Sequence, residues 1–258
     1  MRLSPSIYLV GGSSIGLTRG GDAHIYLVRG PSGLFLIDSG TGRCVDDLVD
    51  SIKHEGFKPE DITHILMTHH HQDHTGGAKE LRERFGCEVW ICDDPGKHLL
   101  EKGTMDDLGY TFGIEKGLIP EDLPFRHCPV AHGIADGEEF AIGGVSITAI
   151  KTIGHSPDSM CFEMELDGLQ CLFCGDTVLF GGVVGMINYP WSSLEDFHTG
   201  LPRLLGRDID ALFPGHGYFC LRNGQTSIDD ACRKLRTIFV PQLVGQIHDC
   251  PICYNQDK

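Results

Sequence analysis

The stretch MTHHHQDHTGG at residues 67–77 places four histidines and one aspartate in six consecutive positions. Burial of an unpaired imidazole costs free energy, so a folded protein rarely crowds histidines together unless they have a function. On an extended segment, residues two apart point the same way, so His69 and His71 can face one centre. His70 lies between them and must point the other way, and we predict that it binds no metal.

The residues after this pair predict a second centre beside the first. A turn would let Asp73 and His74 project from the start of the next helix. Gly76 and Gly77 would let that helix begin close to a sheet. Imidazole and carboxylate donors together suit zinc, with iron and manganese as alternatives, whereas calcium prefers oxygen donors alone.

Two complete sets of metal ligands can be assembled from the chain. A catalytic zinc ion keeps one position open for water, so three protein ligands per ion are expected. Further candidates, each next to a glycine, are His155, Asp176 and His216. The predicted first set is His69, His71 and His155. The predicted second set is Asp73, His74 and His216. Asp176 could bridge two ions about 3.5–4 Å apart.

These residues lie where apolar, strand-like runs end in polar turns that contain glycine. The five runs are 33–40, 62–74, 145–159, 169–177 and 209–217. Functional groups are often carried on loops that a rigid scaffold supports. Helices are predicted at 45–55, 76–86, 194–205 and 227–245. The pattern predicts an α/β (α+β) chain in which two mixed β-sheets pack face to face with helices outside.

Residues 94–140 interrupt this pattern and predict a short helix followed by a long irregular stretch. A loop of this length is typical of a lid or binding loop, and a surface excursion is the alternative. No repeat or linker divides the sequence, so we expect one domain over residues 1–258. The tail, 246–258, carries His248, Cys250 and Cys253. It lacks a second CxxC partner for zinc, and a contact with a partner subunit in a homodimer is one interpretation.

The composition excludes several classes of partner. The chain has 21 Lys and Arg residues against 36 Asp and Glu residues, a formal charge of −15. This balance argues against nucleic acid or an anionic membrane, although bound cations would admit a small anionic substrate. No apolar run reaches the roughly 20 residues that cross a bilayer. Eleven cysteines, many in apolar runs, and no signal-peptide pattern predict a cytoplasmic protein.

Five motifs together resemble those of the metallo-β-lactamase superfamily, and within it the glyoxalase II-type hydrolases. The motifs are THHHQDH (68–74), GHSPDS (154–159), CGDT (174–177), PGHG (214–217) and LIDSG (36–40). The resemblance implies a four-layer αββα sandwich with a dinuclear metal site at one edge and the two ligand sets given above. Asp38 matches an acidic position near the site and would support the ligands from behind, with capping of its own turn as the alternative.

Two features depart from the glyoxalase II pattern. Asp158 stands where the family often has glycine, so this loop could run differently or carry an extra carboxylate. Only 42 residues follow His216. This is too few for the separate glutathione-binding domain of full-length glyoxalase II, so glutathione specificity is not expected.

The predicted ligands indicate hydrolysis of a carbonyl compound. A hydroxide shared by two ions would attack the carbonyl, while an ion stabilises the developing oxyanion. Asp73 could take the nucleophile's proton and help to pass it to the leaving group. A small-molecule thioester or lactone is the expected substrate. The alternatives are a mononuclear iron persulfide dioxygenase and a metal-dependent phosphodiesterase, whereas β-lactam hydrolysis is disfavoured.

Two loops could contact this substrate. One is the loop 180–193, which follows the predicted bridging residue, and the other is the interrupting region 94–140. The candidate contacts are Met186, Tyr189, Trp191 and His127. Tyr189 could donate to an oxyanion, or its ring could serve only in packing.

Overall fold

Two β-sheets pack face to face in the structure, a computed structural model that describes residues 1–117 and 120–237. The first sheet contains, in chain order, β1 (Ile7–Gly11), β2 (Ile25–Arg29), β3 (Leu34–Ile37), β4 (Ile62–Leu66), β5 (Glu88–Cys92) and β6 (His132–Ile134). Strands β1 to β3 pair antiparallel, and β3 to β6 pair parallel. The first sheet is therefore mixed, as predicted.

The second sheet and a short hairpin follow along the chain. Their strands are β7 (Glu139–Ile142), β8 (Val145–Lys151), β9 (Met160–Leu166), β10 (Leu169–Gly175), β11 (Val178–Leu179), β12 (Val183–Val184) and β13 (Ala211–Pro214). The sheet has the order β13-β10-β9-β8-β7, and β11 pairs with β12. Strand β10 pairs parallel with β13, whereas the other strand pairs of this sheet are antiparallel. The second sheet is therefore also mixed.

Helices pack on the sheets through apolar faces. In the described residues they are α1 (Val45–His54), α2 (Gln72–Thr75), α3 (Ala78–Phe85), α4 (His98–Lys102), α5 (Tyr110–Glu115), α6 (Leu194–Gly200) and α7 (Gly224–Leu235). The residues that α1 buries are Val45, Leu48, Val49 and Ile52. This i, i+3, i+4, i+7 spacing is one face of a helix. Helix α1 contacts β1, and α7 contacts β13, so each sheet carries a helix and the αββα prediction is confirmed.

An aromatic cluster lies between the two sheets. Tyr26 of β2 has its ring centroid 5.4 Å from those of both Phe173 and Phe213, which belong to β10 and β13. The two phenylalanine rings stack at 4.8 Å. All three side chains are buried, and edge-to-face and stacked contacts of this kind stabilise a core beyond simple area burial. The cluster fixes the two sheets against each other close to the loop that follows β13.

The region 94–140 is more ordered than the sequence predicts. It contains α4 and α5, and it then supplies β6 to the first sheet and β7 to the second. The prediction of an irregular stretch as far as residue 140 is therefore wrong for residues 132–134 and for the start of β7 at residue 139. These strands are three and four residues long, too short for periodicity to reveal.

Helix boundaries differ from the predictions by a few residues. The predicted helix 76–86 is observed as α3 (Ala78–Phe85), with the separate short helix α2 before it, and the predicted helix 227–245 begins three residues earlier, at Gly224. Helix α7 ends at Leu235, whereas residues 238–245 of the latter prediction, and the tail 246–258 with its histidine and cysteines, lie outside the described residues. Among the described residues, no helix combines the length and apolar composition that crossing a bilayer requires.

Two glycines allow α2 and α3 to pack closely against the loop that follows β3 of the first sheet. A Cβ atom on Gly76 would overlap the carbonyl oxygen of Thr41, and one on Gly77 would overlap that of Ser39. The φ angle of Gly76 is −61°, which any residue can adopt, so the constraint is purely steric.

We expect Gly76→Ala to lower the free energy of unfolding by about 1–3 kcal/mol, because the added methyl group has no space. Urea denaturation checks this value. Gly86→Ala is the control, because a Cβ atom there meets open space and only the positive φ of 74° opposes it. If Gly76→Ala were as stable as the wild type, the steric explanation would be wrong.

Candidate metal centre

The predicted ligands follow the carboxyl ends of strands from both sheets. His69 and His71 come after β4, and Asp73 and His74 lie in α2 directly behind them. The loops after β8, β10 and β13 of the second sheet supply His155, Asp176 and His216. All are buried except Asp73, whose side chain is 28% exposed. The site therefore lies where the two sheets meet.

His69, His71 and His155 direct one ring nitrogen each toward a common point. The Nδ1 atom of His71 lies 3.0 Å from Nε2 of His69 and 2.9 Å from Nε2 of His155. All three ligand atoms lie within 4.8 Å of one another, so one cation could contact all of them. We call these three histidines the first cluster.

Asp73, His74 and His216 form a second group of the same size. The Oδ2 atom of Asp73 lies 3.0 Å from Nε2 of His216 and 3.7 Å from Nε2 of His74. Their ligand atoms also lie within 4.8 Å of one another. We call these three residues the second cluster.

Asp176 lies between the two clusters. Its Oδ2 atom is 3.5 Å from Nε2 of His155 in the first cluster and 3.3 Å from Nε2 of His216 in the second. Its Oδ1 atom is 3.5 Å from Nε2 of His74. A carboxylate in this position can contact a cation in either cluster, which is the geometry that a bridging ligand requires.

The donor set fits divalent metal ions. Within the described residues, the buried atoms Nε2 of His74 and Oδ1 of Asp176 have no hydrogen-bond partner, although an unsatisfied buried polar group costs about 1–3 kcal/mol. A Cβ atom on Gly215 would overlap Asp176 and His74, so this glycine keeps the space between them clear. Nitrogen and carboxylate donors without thiolate are typical of catalytic zinc sites, and iron and manganese accept the same donors.

The first cluster is electrostatically suited to bind a cation. Burial lowers the pKa of all three of its imidazoles, and neighbouring imidazoles lower the pKa of His69 and His71 further. The rings are therefore neutral at pH 7, and a neutral ring offers a lone pair to a metal ion.

In the second cluster the acidic side chains dominate. Burial opposes ionisation of Asp176, but His216 and His74 outweigh it and hold the pKa of this carboxyl well below its ordinary value. Burial likewise opposes protonation of His216, yet Asp176 and Asp73 raise its pKa to about 9. Protons on the imidazoles thus balance the carboxylates, and a bound divalent cation would take over this role.

Asp38 supports the second cluster from behind. Its Oδ2 atom accepts hydrogen bonds from Nδ1 of His74 at 2.8 Å and from the hydroxyl of Thr68 at 2.9 Å. Its Oδ1 atom accepts the backbone N–H of Thr68 at 2.8 Å. A carboxylate that binds one nitrogen of a histidine fixes the ring and leaves the other nitrogen for a metal. These contacts favour support of the ligands over capping of its own turn.

Other supporting contacts are not evident from the sequence. The Nδ1 atom of His155 donates to the carbonyl oxygen of Gly185, which lies on the loop after β12. The hydroxyl of Tyr26 donates to the carbonyl oxygen of Pro214 at 2.8 Å, and the ring of His24 lies 3.2 Å from the same oxygen. These two side chains hold the loop after β13. The feature of the sequence that could have indicated these contacts is His24, a polar residue directly before an apolar strand.

His70 turns away from the first cluster, as strand alternation predicts. Its Nδ1 atom lies 2.7 Å from Oδ1 of Asp158, and both side chains are buried. Among the described residues, the groups of side chains that could hold a metal ion do not include His70. That His70 binds no metal stays a prediction. Its partner, Asp158, is the extra carboxylate that departs from the glyoxalase II pattern.

Tyr189 is the predicted substrate contact that lies against a predicted ligand. Its ring centroid is 5.2 Å from that of His71 and 5.3 Å from that of Phe112 in α5. Its hydroxyl donates to the carbonyl oxygen of Gly109. The hydroxyl is thus engaged by the backbone, and the ring joins the loop 180–193 to the region of α5.

The other predicted substrate contacts have varied surroundings. Trp191 is 59% exposed and has a φ of 72°, which is rare for a bulky residue. Met186 packs against the apolar cluster between the second sheet and α7. The Nε2 atom of His127 hydrogen-bonds to the carbonyl oxygen of Gly103 at 2.7 Å. Trp191 is therefore open to solvent, whereas Met186 and His127 contact other parts of the protein, and contact of the three with a substrate stays a prediction.

The αββα fold and the clusters of histidine and aspartate define the class of the protein. A profile of the Metallo-beta-lactamase superfamily matches residues 18–216, and the chain belongs to this superfamily. A solved structure of a subclass B3 metallo-beta-lactamase from Bradyrhizobium japonicum has a TM-score of 0.69 and 25% identity to it, over 90% of this chain and 89% of that one.

Curated relatives include a thioesterase and other hydrolases. The chain is 29% identical to an atrochrysone carboxyl ACP thioesterase of Aspergillus fumigatus over 83% of its length, but spans only 57% of that protein. It is 26% identical to a hydroxyacylglutathione hydrolase of a Marinomonas species, over 86% of this chain and 76% of that one. It is 31% identical to a probable metallo-hydrolase of Methanocaldococcus jannaschii, over 77% of this chain and 89% of that one.

Proposed function

We propose that the protein is a dinuclear metallohydrolase, with zinc as its metal, that cleaves a thioester or lactone bond of a small molecule. The observation that carries this proposal is the pair of three-residue clusters with Asp176 between them. Each cluster supplies the three ligands expected of a catalytic site, and Asp176 would be shared between the two ions. Bound cations would supply Lewis acidity to the scissile carbonyl and to the attacking water.

The protein residues divide the remaining work. The first cluster would hold one cation and the second cluster would hold the other, with the carboxylate of Asp176 between them. Asp73 is the most exposed of the seven predicted ligands, at 28% against 6% or less. Its carboxylate is therefore the group that solvent and substrate reach first. We assign it the transfer of the proton from the attacking water to the leaving group.

A thioester is the substrate that the surroundings favour. One curated relative is named a thioesterase and another a hydroxyacylglutathione hydrolase, which are properties of those proteins and a guide here. Phe180 and Tyr218 follow two predicted ligands closely in the chain, and their rings lie 6.2 Å apart. They are 47% and 77% exposed. Exposed aromatic rings on the loops that carry the ligands would suit an apolar acyl group, and the formal charge of −15 disfavours a nucleic-acid phosphodiester.

One observation favours a second candidate, a mononuclear iron persulfide dioxygenase. His69, His74 and Asp176 also have ligand atoms within 4.8 Å of one another. Two histidines and one carboxylate with open positions are the ligand set of many non-haem iron oxygenases. Such an enzyme would bind one iron ion and would not need Asp73 or His216.

Metal analysis and a substrate panel distinguish the candidates. The purified chain is analysed for zinc, iron and manganese and assayed with acyl N-acetylcysteamine thioesters, γ-lactones, bis-p-nitrophenyl phosphate, a β-lactam and glutathione persulfide. We expect about two zinc ions per chain and turnover of a thioester or lactone. One iron ion per chain with oxygen consumption on the persulfide alone would replace the proposal with the second candidate. Turnover of the phosphodiester alone would also contradict it.

We expect Tyr189 to contribute through its ring and not through its hydroxyl. Tyr189→Phe should keep kcat and KM within about twofold, because the hydroxyl binds the backbone of Gly109. Tyr189→Ala should raise KM about tenfold with a smaller change in kcat, because it removes an aromatic wall beside His71. Steady-state kinetics on the best thioester measure both variants. A large loss of kcat in Tyr189→Phe would instead indicate an oxyanion donor.

A further inference from the structure

We propose that His70 and Asp158 form a positioning pair that holds His155 in register with His69 and His71 and thereby sets the affinity of the first cluster for its metal ion. This inference rests on the proposed function, because it concerns the same metal site. The pair is fully buried, with side chains 1% and 0% exposed. Its Nδ1 to Oδ1 distance is 2.7 Å, typical of a charge-assisted hydrogen bond.

The pair connects the two parts of the chain that build the first cluster. His70 follows β4 of the first sheet and is flanked by two ligands of the cluster. Asp158 lies between β8 and β9 of the second sheet, three residues after His155. A backbone hydrogen bond of 2.8 Å from Met160 N–H to the carbonyl oxygen of Thr68 runs beside it. The two bonds therefore join the ligand loops of the two sheets at the place where they meet.

The loop around Asp158 is itself held in place. The hydroxyl of Ser156 donates to the same Oδ1 atom at 2.8 Å and lies 2.7 Å from the hydroxyl of Ser159. The Oδ2 atom of Asp158 faces Gly96, where an added Cβ atom would lie only 3.0 Å away. The carboxylate thus has little freedom to move, and the ring of His70 is oriented by a fixed partner.

The pair acts through the ligands and does not hold the metal. The ring centroid of His70 is 4.8 Å from that of His71. Within the described residues, Nε2 of His70 has no hydrogen-bond partner, so the bond to Asp158 is the one that orients the ring. Apolar residues often replace a buried ion pair without loss of stability. Accurate placement of the ligands explains the presence of this pair better than stability does, because metal sites depend on groups that orient their ligands.

The test measures zinc affinity separately from stability. The zinc-loaded full chain is titrated with a chromogenic chelator, and the thermal unfolding of the metal-free chain is recorded in parallel. The double variant His70→Leu with Asp158→Ala removes both polar groups and leaves no unpaired charge. We expect it to bind zinc about 10- to 100-fold more weakly, while the metal-free chain melts close to the wild type. Asp158→Asn keeps an acceptor for His70 and should restore zinc affinity to within about fivefold of the wild type.

A control uses a histidine–carboxylate pair nearer the surface, His64 of β4 with Glu88 of β5, whose Nε2 and Oε2 atoms are 3.7 Å apart. The double variant His64→Leu with Glu88→Ala should bind zinc as the wild type does. If the His70 and Asp158 double variant kept wild-type zinc affinity, the positioning role would be overturned although the proposed function would stand. If its zinc affinity fell only in proportion to a lowered melting temperature, the role would be overturned as well. A wild-type chain that bound no metal would instead contradict the proposed function.

Discussion

Replacement of Asp176 by alanine is expected to lower kcat/KM at least about 10³-fold, because metal-assisted stabilisation of the transition state amounts to several kcal/mol. Asp176 is the carboxylate that contacts both clusters, with Oδ2 at 3.5 Å from His155 and 3.3 Å from His216. In the proposed dinuclear site, two bound cations would lose their shared ligand without it. We therefore expect the zinc content to fall to about one ion per chain or less. Kinetics on the best thioester and elemental analysis of the same preparation give both numbers.

The control for this variant is Glu195→Ala, which also removes one negative charge but from an exposed position in the first turn of α6. Its activity and zinc content should match those of the wild type. Activity within about tenfold of the wild type in Asp176→Ala, with two zinc ions still bound, would show that Asp176 does not bridge. A normal metal content with no activity would indicate that Asp176 takes part in the reaction and is not needed for metal binding.

Replacement of Asp38 by alanine is expected to have the largest effect on stability, about 3–5 kcal/mol. The change removes one partner of a fully buried pair and leaves His74 without the acceptor for its Nδ1 atom. It also removes the acceptor for the backbone N–H of Thr68. For a chain of this size, a loss of 3 kcal/mol lowers the melting temperature by roughly 6–12 °C. Thermal and urea unfolding of the metal-free chain measure the effect without a contribution from bound ions.

Asp38→Asn tests the negative charge of the side chain separately from its shape and hydrogen bonding. Asp38 has a φ of 64°, a left-handed conformation that asparagine also adopts more readily than alanine. The amide oxygen can still accept a hydrogen bond, so this variant should lose less stability than Asp38→Ala. A melting temperature of Asp38→Ala within about 2 °C of the wild type would contradict the supporting role.

Much of the site could be predicted because its signals are local. The alternation of side chains along an extended segment separates His70 from its two neighbours, and the structure places its ring on Asp158, away from the first cluster. The glycine beside each of His155, Asp176 and His216 marks an abrupt strand end, and the structure brings these ends together. The two mixed sheets follow from the same runs of apolar residues. Period and composition carry this information within a few residues of each position.

The remaining contacts could not be predicted because they join distant parts of the chain. The carboxylate of Asp158 was visible as an unusual residue, but its partner lies 88 positions away. The carbonyl oxygen of Gly185 that orients His155 belongs to the backbone and has no signature in the residue type. The short strands β6 and β7 are defined by pairing with their neighbours and not by their own periodicity. Contacts between distant parts of the chain define these features, and no local pattern in a single sequence reveals such contacts.

Because the predicted ligands come from loops of both sheets, the metal site can be completed only late in folding. His71 and His155 meet at 2.9 Å although 84 positions separate them in the chain. Contacts of such long range form late, because the entropy of closing a large loop must be overcome before they stabilise the chain. During synthesis, the segment that contains His69 to His74 emerges well before its partners and can offer an ion only part of a binding site. Tight retention of metal is thus expected to begin only when the two halves of the sandwich dock, and the rate of metal uptake during refolding would report that docking step.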